Sequence, residues 1–384
     1  VCSLRPKEDK LCFSAVFKMN DKAEIIHEWF GRTIIHSDRR FSYEEVQEIL
    51  EGKEGDFSDE LKLLNGLAKK LREKRFQNGA ISFDKEEVKF KLDEKGNPVD
   101  VFFKVMKDSN QLIEDFMLLA NRRVAEYVAL SRKAGETQKP QNRDLRRPFV
   151  YRVHNSPDPA RVQEFGNFVK SFGYTLDTGS DKAIANSLNK LLRDVKGKPE
   201  ANMIETLAVR TMAKAIYTTK NVGHYGLGFE YYTHFTSPIR RYADVLVHRI
   251  LEKHLKGESL SSQEIAWHHN LASALSQREI DAADAERSSV AYKQVEYMLG
   301  KIGNIFDGVI SGITNWGIYV EEARTKASGM VRVKDMTDDF YIFSKETYSL
   351  IGEKSKKKYS VGDEVKIKII GGDQEKRTLD YILA

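Results

Sequence analysis

Two arginines stand side by side in HYGLGFEYYTHFTSPIRRYADVLVHRIL, residues 224–251, where the stripe Ile239, Ala243, Leu246 or Val247, and Ile250 predicts a helix. The positive end of a helix dipole favours Asp or Glu and disfavours cations. Ser237 fits the N-cap and Pro238 the first helical position, which predicts that the helix begins there. Free N–H groups at such a start can hold a phosphate, and Arg240 or Arg241 can add forked contacts to it, so an anionic ligand would offset the cost of the cations. The alternative is that one arginine pairs with Glu230 or another core carboxylate. The rings ahead of the motif, Tyr225, Phe229, Tyr231, Tyr232 and Phe235, suit a core as well as a channel wall. GLGF lacks the third glycine and the strand context of a nucleotide loop.

Other chemistry is harder to assemble. Cys2 and Cys12 are too few for a disulfide framework and lack the paired spacing of a zinc site. His268 and His269 are adjacent on a helix and diverge by about 100°, and no H-E-x-x-H occurs. Asp281, Asp284 and Glu286, or Asp338 and Asp339, are hard-cation donors, but the helical spacing of the first set reads as a solvated face. No metal ligand set is expected within the chain. The run EKSKKKY, residues 353–359, reads as a solvated basic loop able to attract phosphates.

These residues sit in a chain of 384 residues with 41% hydrophobic content, enough for two or more cores. No stretch approaches the roughly 18 consecutive apolar residues of a membrane span, and no secretory leader is visible, so the reading is a cytoplasmic, monomeric protein with no membrane partner. A net charge of +5 is modest and identifies no partner by itself.

The elements that must position the candidates follow from periodicity. LCFSAVFKM, residues 11–19, alternates Leu11, Phe13, Ala15, Phe17 and Met19 on one side and predicts a half-buried strand; a start so close to a sheet is expected of a chain missing its front. Leu61, Leu63, Leu64, Leu67 and Leu71 predict a helix leading to a strand near Phe83. EVKFKLDEKGNPVDVFFKVM predicts a hairpin turning at Gly96. Residues 109–133 predict a helix capped by Ser109, followed by a Pro-bearing loop with one short strand, then helices from Ala160 to about Lys214. Ser261 and Glu264 form a capping box for a helix reaching residue 299. FDGVISGI, WGIYVEE, GMVRV, DEVKIKII and RTLDYIL then predict a small barrel of OB type.

The motif around Arg240 closely resembles the signature near the carboxyl end of the catalytic (RNB) domain in the ribonuclease II / ribonuclease R exoribonuclease family. VCSLRPKEDKLCFS, LIEDFMLLANRRVAE, PFVYRVHNSPDP and AERSSVAYK extend the likeness in the family's order, and residues 303–384 resemble the OB-fold domain that follows. DDFYIF in the barrel favours the ribonuclease R branch. The implied fold class is α+β: the rear portion of the RNB domain over residues 1–300, then a five-stranded OB-fold β-barrel over 303–384.

The resemblance implies a processive exoribonuclease that hydrolyses RNA, single-stranded and also structured, from its 3′ end to nucleoside 5′-monophosphates, with magnesium (Mg2+) held by aspartates. Two metal ions serve such a displacement by activating water and stabilising the leaving oxygen. The family's aspartates and active-site tyrosine are expected upstream of residue 1, so that the chain alone would be inactive. Arg240 matches the arginine that contacts the scissile phosphate, with Ser237 and Arg241 beside it. Glu114 and Glu286 match carboxylates near the 3′-terminal nucleotides, where they would read ribose hydroxyls, and Phe83 matches a stacking aromatic. Phe306, Trp316 and Tyr319 match the barrel's stacking platform, and Arg332 stands where many relatives carry His. The rival reading is a non-catalytic RNA-binding protein on the same scaffold.

Overall fold

A ribbon, a bundle and a barrel are strung along one another in the computed structural model, which describes residues 3–82, 87–130, 148–170, 172–198, 200–344 and 349–384. Strand β1 (Asp9–Met19) pairs antiparallel with β2 (Ile25–His36), placing Ala15 opposite Phe30. The Asn20 side chain closes their turn by accepting from the N–H groups of Lys22 and Glu24. Phe13, Ala15, Phe17 and Phe30 turn to the first core, whereas Leu11 is 86% exposed because the ribbon outruns that core.

Helix α1 (Tyr43–Leu50) starts at a Ser42–Glu45 capping box, and α2 (Ser58–Gln77) runs into the segment that precedes hairpin β3 (Glu87–Leu92) and β4 (Pro98–Lys104). Helix α3 (Asp108–Leu130) buries Leu112, Leu119, Val124 and Val128 at three-to-four spacing. It begins one residue before Ser109, which lies buried within the first turn and is not its cap. Much of the loop expected after it lies outside the described residues, but its short strand is present as β5 (Tyr151–Val153), paired with β6 (Ile216–Thr218). Between them α4 (Pro159–Lys170), α5 (Asp181–Val195) and α6 (Ala201–Thr211) enclose a separate core of Val162, Phe165, Leu188, Leu191 and Ile204.

Helix α7 (Tyr242–Leu255) buries Leu246, Val247, Ile250 and Leu251 against the first core. Helix α8 (Ser262–Leu299), started by the predicted Ser261–Glu264 box, is about 57 Å long at 1.5 Å per residue. Ala272 near one end joins the first core, and Val295 and Met298 near the other join the barrel core. No residue between them is buried, so one polar helix spaces the two halves.

All five strands predicted for the barrel occur: β7 (Ile305–Thr314), β8 (Gly317–Glu322), β9 (Ser328–Arg332), β13 (Glu364–Asp373) and β14 (Thr378–Leu383) close in the order β13-β14-β9-β8-β7. Ile310, Ile318, Val331, Ile367 and Tyr381 fill it. A further three-stranded sheet, β10 (Tyr341–Ser344), β11 (Ser349–Gly352) and β12 (Lys358–Ser360), was not expected from the sequence. The fold is α+β. Among the described residues no helix is long and apolar enough to cross a membrane.

Candidate functional site

The segment leading to the paired arginines is buried irregular backbone, so its polar groups need partners. Asn121 on α3 supplies three: its Oδ1 accepts from the N–H groups of Phe235 (2.8 Å) and Thr236 (3.2 Å), and its Nδ2 donates to Tyr232 Oη (3.2 Å). His248 Nε2 donates to the Phe235 carbonyl at 2.8 Å, and Thr233 Oγ1 to the Val150 carbonyl at 2.7 Å. Tyr231, Tyr232 and Phe235 are buried in the first core. Those rings hold the wall up from behind.

The helix does not begin at Ser237. Its first helical residue is Tyr242, and Ser237–Arg241 is a turn in which the Ser237 carbonyl accepts from the N–H groups of Arg240 (3.3 Å) and Arg241 (3.1 Å). The reason is Asp244, fully buried in the first turn of α7, where the dipole favours a carboxylate. Its Oδ1 takes the Ser237 N–H at 2.7 Å and Arg241 Nη2 at 2.8 Å, and its Oδ2 takes Arg241 Nε at 2.8 Å. The expectation that Ser237 caps the helix is therefore corrected: it is itself tied down by a carboxylate seven residues on. Arg241 is the arginine with the core carboxylate, and the carboxylate is Asp244, not Glu230. Arg240 is exposed and has no ion pair among the described residues.

Behind the turn lies a second layer. Tyr217 Oη is 2.7 Å from His234 Nδ1, and the Arg152 guanidinium stacks on the Tyr217 ring at 4.7 Å while pairing with Glu279 on α8. Burial, then the charges of Arg241 and Arg152 and, more weakly, Arg240, push the His234 imidazole down to about 2. The imidazole shares its hydrogen bond with the Tyr217 hydroxyl, whose phenol is raised by burial. His224, pushed down to about 3 by burial first, lies beside His154, whose Nε2 donates to the Ala213 carbonyl and whose Nδ1 accepts the Gly226 N–H. The glycines of GLGF serve this packing: Gly228 has φ of 64°, and a Cβ there would lie 3.0 Å from both Ala80 N and Asn78 O.

The remaining candidates are dispersed. Glu114 is exposed on α3, with Arg75 at 3.6 Å; its neighbour Asp115 is buried and binds Arg72 at 2.8 Å, joining α2 to α3. Burial raises the Asp115 carboxyl despite the opposing pull of Arg72. Glu286 is exposed on the unburied middle of α8. Phe83 lies outside the described residues. In the barrel, Trp316 and Tyr319 are exposed, and Phe306 is half-buried against the barrel core. Tyr319 opens on a cleft of about 960 Å³ between the barrel and helices α4 and α6, whereas Trp316 lines a different cavity. Arg332 pairs with Asp380 at 2.7 Å.

Sequence reasoning missed Asn121, Tyr217, Asp244 and His248. Of these only Asp244 carried a local signal, its spacing of three from Arg241 on one helix face. Among the described residues no three His, Cys, Asp or Glu side chains gather as a metal ligand set, so they do not fit a metal centre. The arrangement they do form can present an exposed guanidinium to an anionic ligand, and the exposed rings Trp316 and Tyr319 stand apart from it on the barrel.

The RNB domain family matches residues 1–257, and the S1 RNA binding domain family matches residues 300–381. Ribonuclease R of Thermotoga maritima is 35% identical over 394 residues, covering 100% of this chain and 53% of that protein. Ribonuclease R of Aquifex aeolicus is 33% identical over 390 residues, again covering 100% and 53%. The structure of Mycoplasma genitalium RNase R in complex with ribose methylated single-stranded RNA superposes with a TM-score of 0.88 at 27% identity, over 100% of this chain and 59% of that one. The chain thus spans about half the length of the curated relatives it matches.

Proposed function

Because the chain belongs to the ribonuclease R family, we propose that it is the RNA-holding half of a processive 3′-to-5′ exoribonuclease, whose hydrolysis releases nucleoside 5′-monophosphates. Arg240 binds the phosphate at the scissile bond. Glu114 and Glu286 accept from ribose hydroxyls near the 3′ end, and the barrel stacks the incoming single strand. Nucleases of the RNB family are in general divalent-metal dependent. In our reading the metal is magnesium and its carboxylates belong to the part of the relatives that this chain does not span.

The observation that carries the proposal is the division of labour between the two arginines. Asp244 satisfies Arg241 and pins the backbone of Ser237, which leaves the exposed Arg240 on a turn that cannot swing. The backbone that carries Arg240 is held in place, while its exposed guanidinium is left unengaged and able to reach a phosphate. A phosphate contact also carries no base identity, which suits a nuclease that does not read sequence.

The test pairs a binding assay with digestion of a 3′-labelled single-stranded RNA in magnesium, using the 384-residue chain. The expected result is RNA binding without release of mononucleotide. Failure to bind would overturn the reading, and magnesium-dependent mononucleotide release would show that carboxylates within this chain assemble the metal site. A longer protein that also binds without cleaving would favour the non-catalytic reading.

A further inference from the structure

Two arginines of α2 reach α3, and they are used differently. Arg72 gives its Nε to Asp115 Oδ2 at 2.9 Å and its Nη1 to Gln111 Oε1 at 2.5 Å, so it joins the two helices by itself. Arg75, three residues on, duplicates that clamp with a longer bond, from Nη2 to Asp115 Oδ1 at 3.3 Å. Its Nε is buried with no hydrogen-bond partner, and its Nη1 lies 3.6 Å from Glu114 Oε1. What Arg75 adds beyond Arg72 is a charge beside two neighbouring carboxylates.

Glu114 and Asp115 are consecutive on α3, but Asp115 is buried whereas the Glu114 side chain is 46% exposed. Adjacent carboxylates repel, and burial of one weakens the screening between them. The Arg75 side chain, 11% exposed, lies within 3.6 Å of both and offsets the repulsion from the buried side. Its contact with Glu114 is longer than a hydrogen bond, so it favours the ionised form without occupying the lone pairs of that carboxylate. An ionised carboxyl with open lone pairs only accepts, and ribose hydroxyls are donors to such a group. The backbone beneath Arg75 is tied down as well. Its carbonyl accepts the N–H groups of Asn78 (3.1 Å) and Ala80 (3.2 Å), and the Ile81 N–H donates to the Gly226 carbonyl at 3.0 Å, which joins the end of α2 to the GLGF loop.

We propose that Arg75 is a positioning residue for ribose recognition: acting through Glu114, it holds that carboxylate ionised with its oxygens open to a 2′-hydroxyl at the 3′ end of RNA. The role rests on the one proposed above for Glu114 and adds the residue that governs it. Arg72 keeps the helices together; Arg75 sets the charge state and placement of the acceptor.

The test uses the 384-residue chain and two 5′-fluorescein oligouridylates of about 12 nucleotides, one all-ribose and one with 2′-deoxy sugars at its 3′ end. A charge-assisted bond to a hydroxyl should make the wild type prefer the all-ribose strand about tenfold. Arg75→Gln keeps a donor and removes the charge, so the preference should fall to about twofold. Arg75→Lys restores a point charge without the fork and should keep most of the preference. Arg72→Gln is the control: it weakens the clamp, and Arg72 has no contact with Glu114 among the described residues, so Tm should fall with the preference unchanged. In a Glu114→Gln background, Arg75→Gln should have no further effect. A preference retained by Arg75→Gln, lost by Arg75→Lys, or lost equally by Arg72→Gln overturns the role of Arg75 and leaves that of Glu114 standing. A preference retained by Glu114→Gln, or absent from the wild type, overturns the role of Glu114 and that of Arg75 with it. No binding by the wild type overturns the RNA-binding function itself.

Discussion

The arginine turn and the barrel face prepare their side chains in opposite ways. In the turn, buried polar groups do the positioning: Asp244 is fully buried, Asn121 is 3% exposed, and together they take five backbone N–H or side-chain donors from residues 235–241. In the barrel the supports are exposed, with Asp339 gathering N–H groups at the surface under a ring that faces water. A buried support makes function and folding hard to separate; an exposed one lets the ring be changed with the fold intact. The two regions should therefore fail differently when the same kind of contact is removed.

The largest expected effect follows from the buried side. Asp244→Ala leaves Arg241 half-buried without a partner and the Ser237 N–H unsatisfied, a loss of about 3–5 kcal/mol of stability for a broken buried pair. Asp244→Asn should lose less, since an amide oxygen still accepts from Ser237. Urea unfolding followed by Trp29 and Trp267 reports the first half, and Trp316 reports the barrel. A shift of less than about 1 kcal/mol in the first half would mean that the turn is not held by Asp244.

Acid should sharpen the same contrast to a smaller degree. All nine histidines precede residue 270 and none lies in the barrel. His154, His224, His234, His248 and His268 are all lowered, with burial as the first cause. A lowered folded value means that the unfolded chain binds the proton first, so stability is present above the unfolded value of about 6.5 and falls as pH drops below it. The raised Asp115 carboxyl works the other way, but it is one group against five. In the barrel, Asp339 is held below the carboxylate range by Ser355, so its contribution persists until pH falls below about 3.9, and the raised Glu321 gains from acid. Melting curves between pH 7.5 and about 5 should show the first half losing Tm while the barrel holds. Equal losses in both halves would sink the assignment.

Local signals carried most of the fold. The barrel strands were legible because alternation and turns repeat within ten residues, and the Ser261–Glu264 box because its two hydrogen bonds are local. Strand β2 was missed because IIHEWFGRTIIH places apolar residues on both faces, and Ile26, Trp29 and Ile34 are indeed exposed. At the site, Ser237-Pro238 looked like a helix start because local rules cannot see a carboxylate that captures the turn ahead of its helix. Asn121 and the 235–236 backbone it clamps are more than 110 residues apart in sequence.

Arg240 makes the smallest and most discriminating change. It is exposed, so Arg240→Ala should leave stability within about 0.5 kcal/mol, unlike anything done to Asp244. If it meets one phosphate of a single strand, its loss removes one counterion-releasing contact, and the slope of log affinity against log salt should become shallower by about 0.7. Arg241→Ala should do the reverse, lowering the stability of the first half with little change in slope, because its guanidinium is already occupied by Asp244. Should Arg241 change the slope and Arg240 leave it untouched, the roles of the two arginines would be exchanged, and the buried carboxylate would be holding the ligand-binding residue instead of leaving its neighbour free.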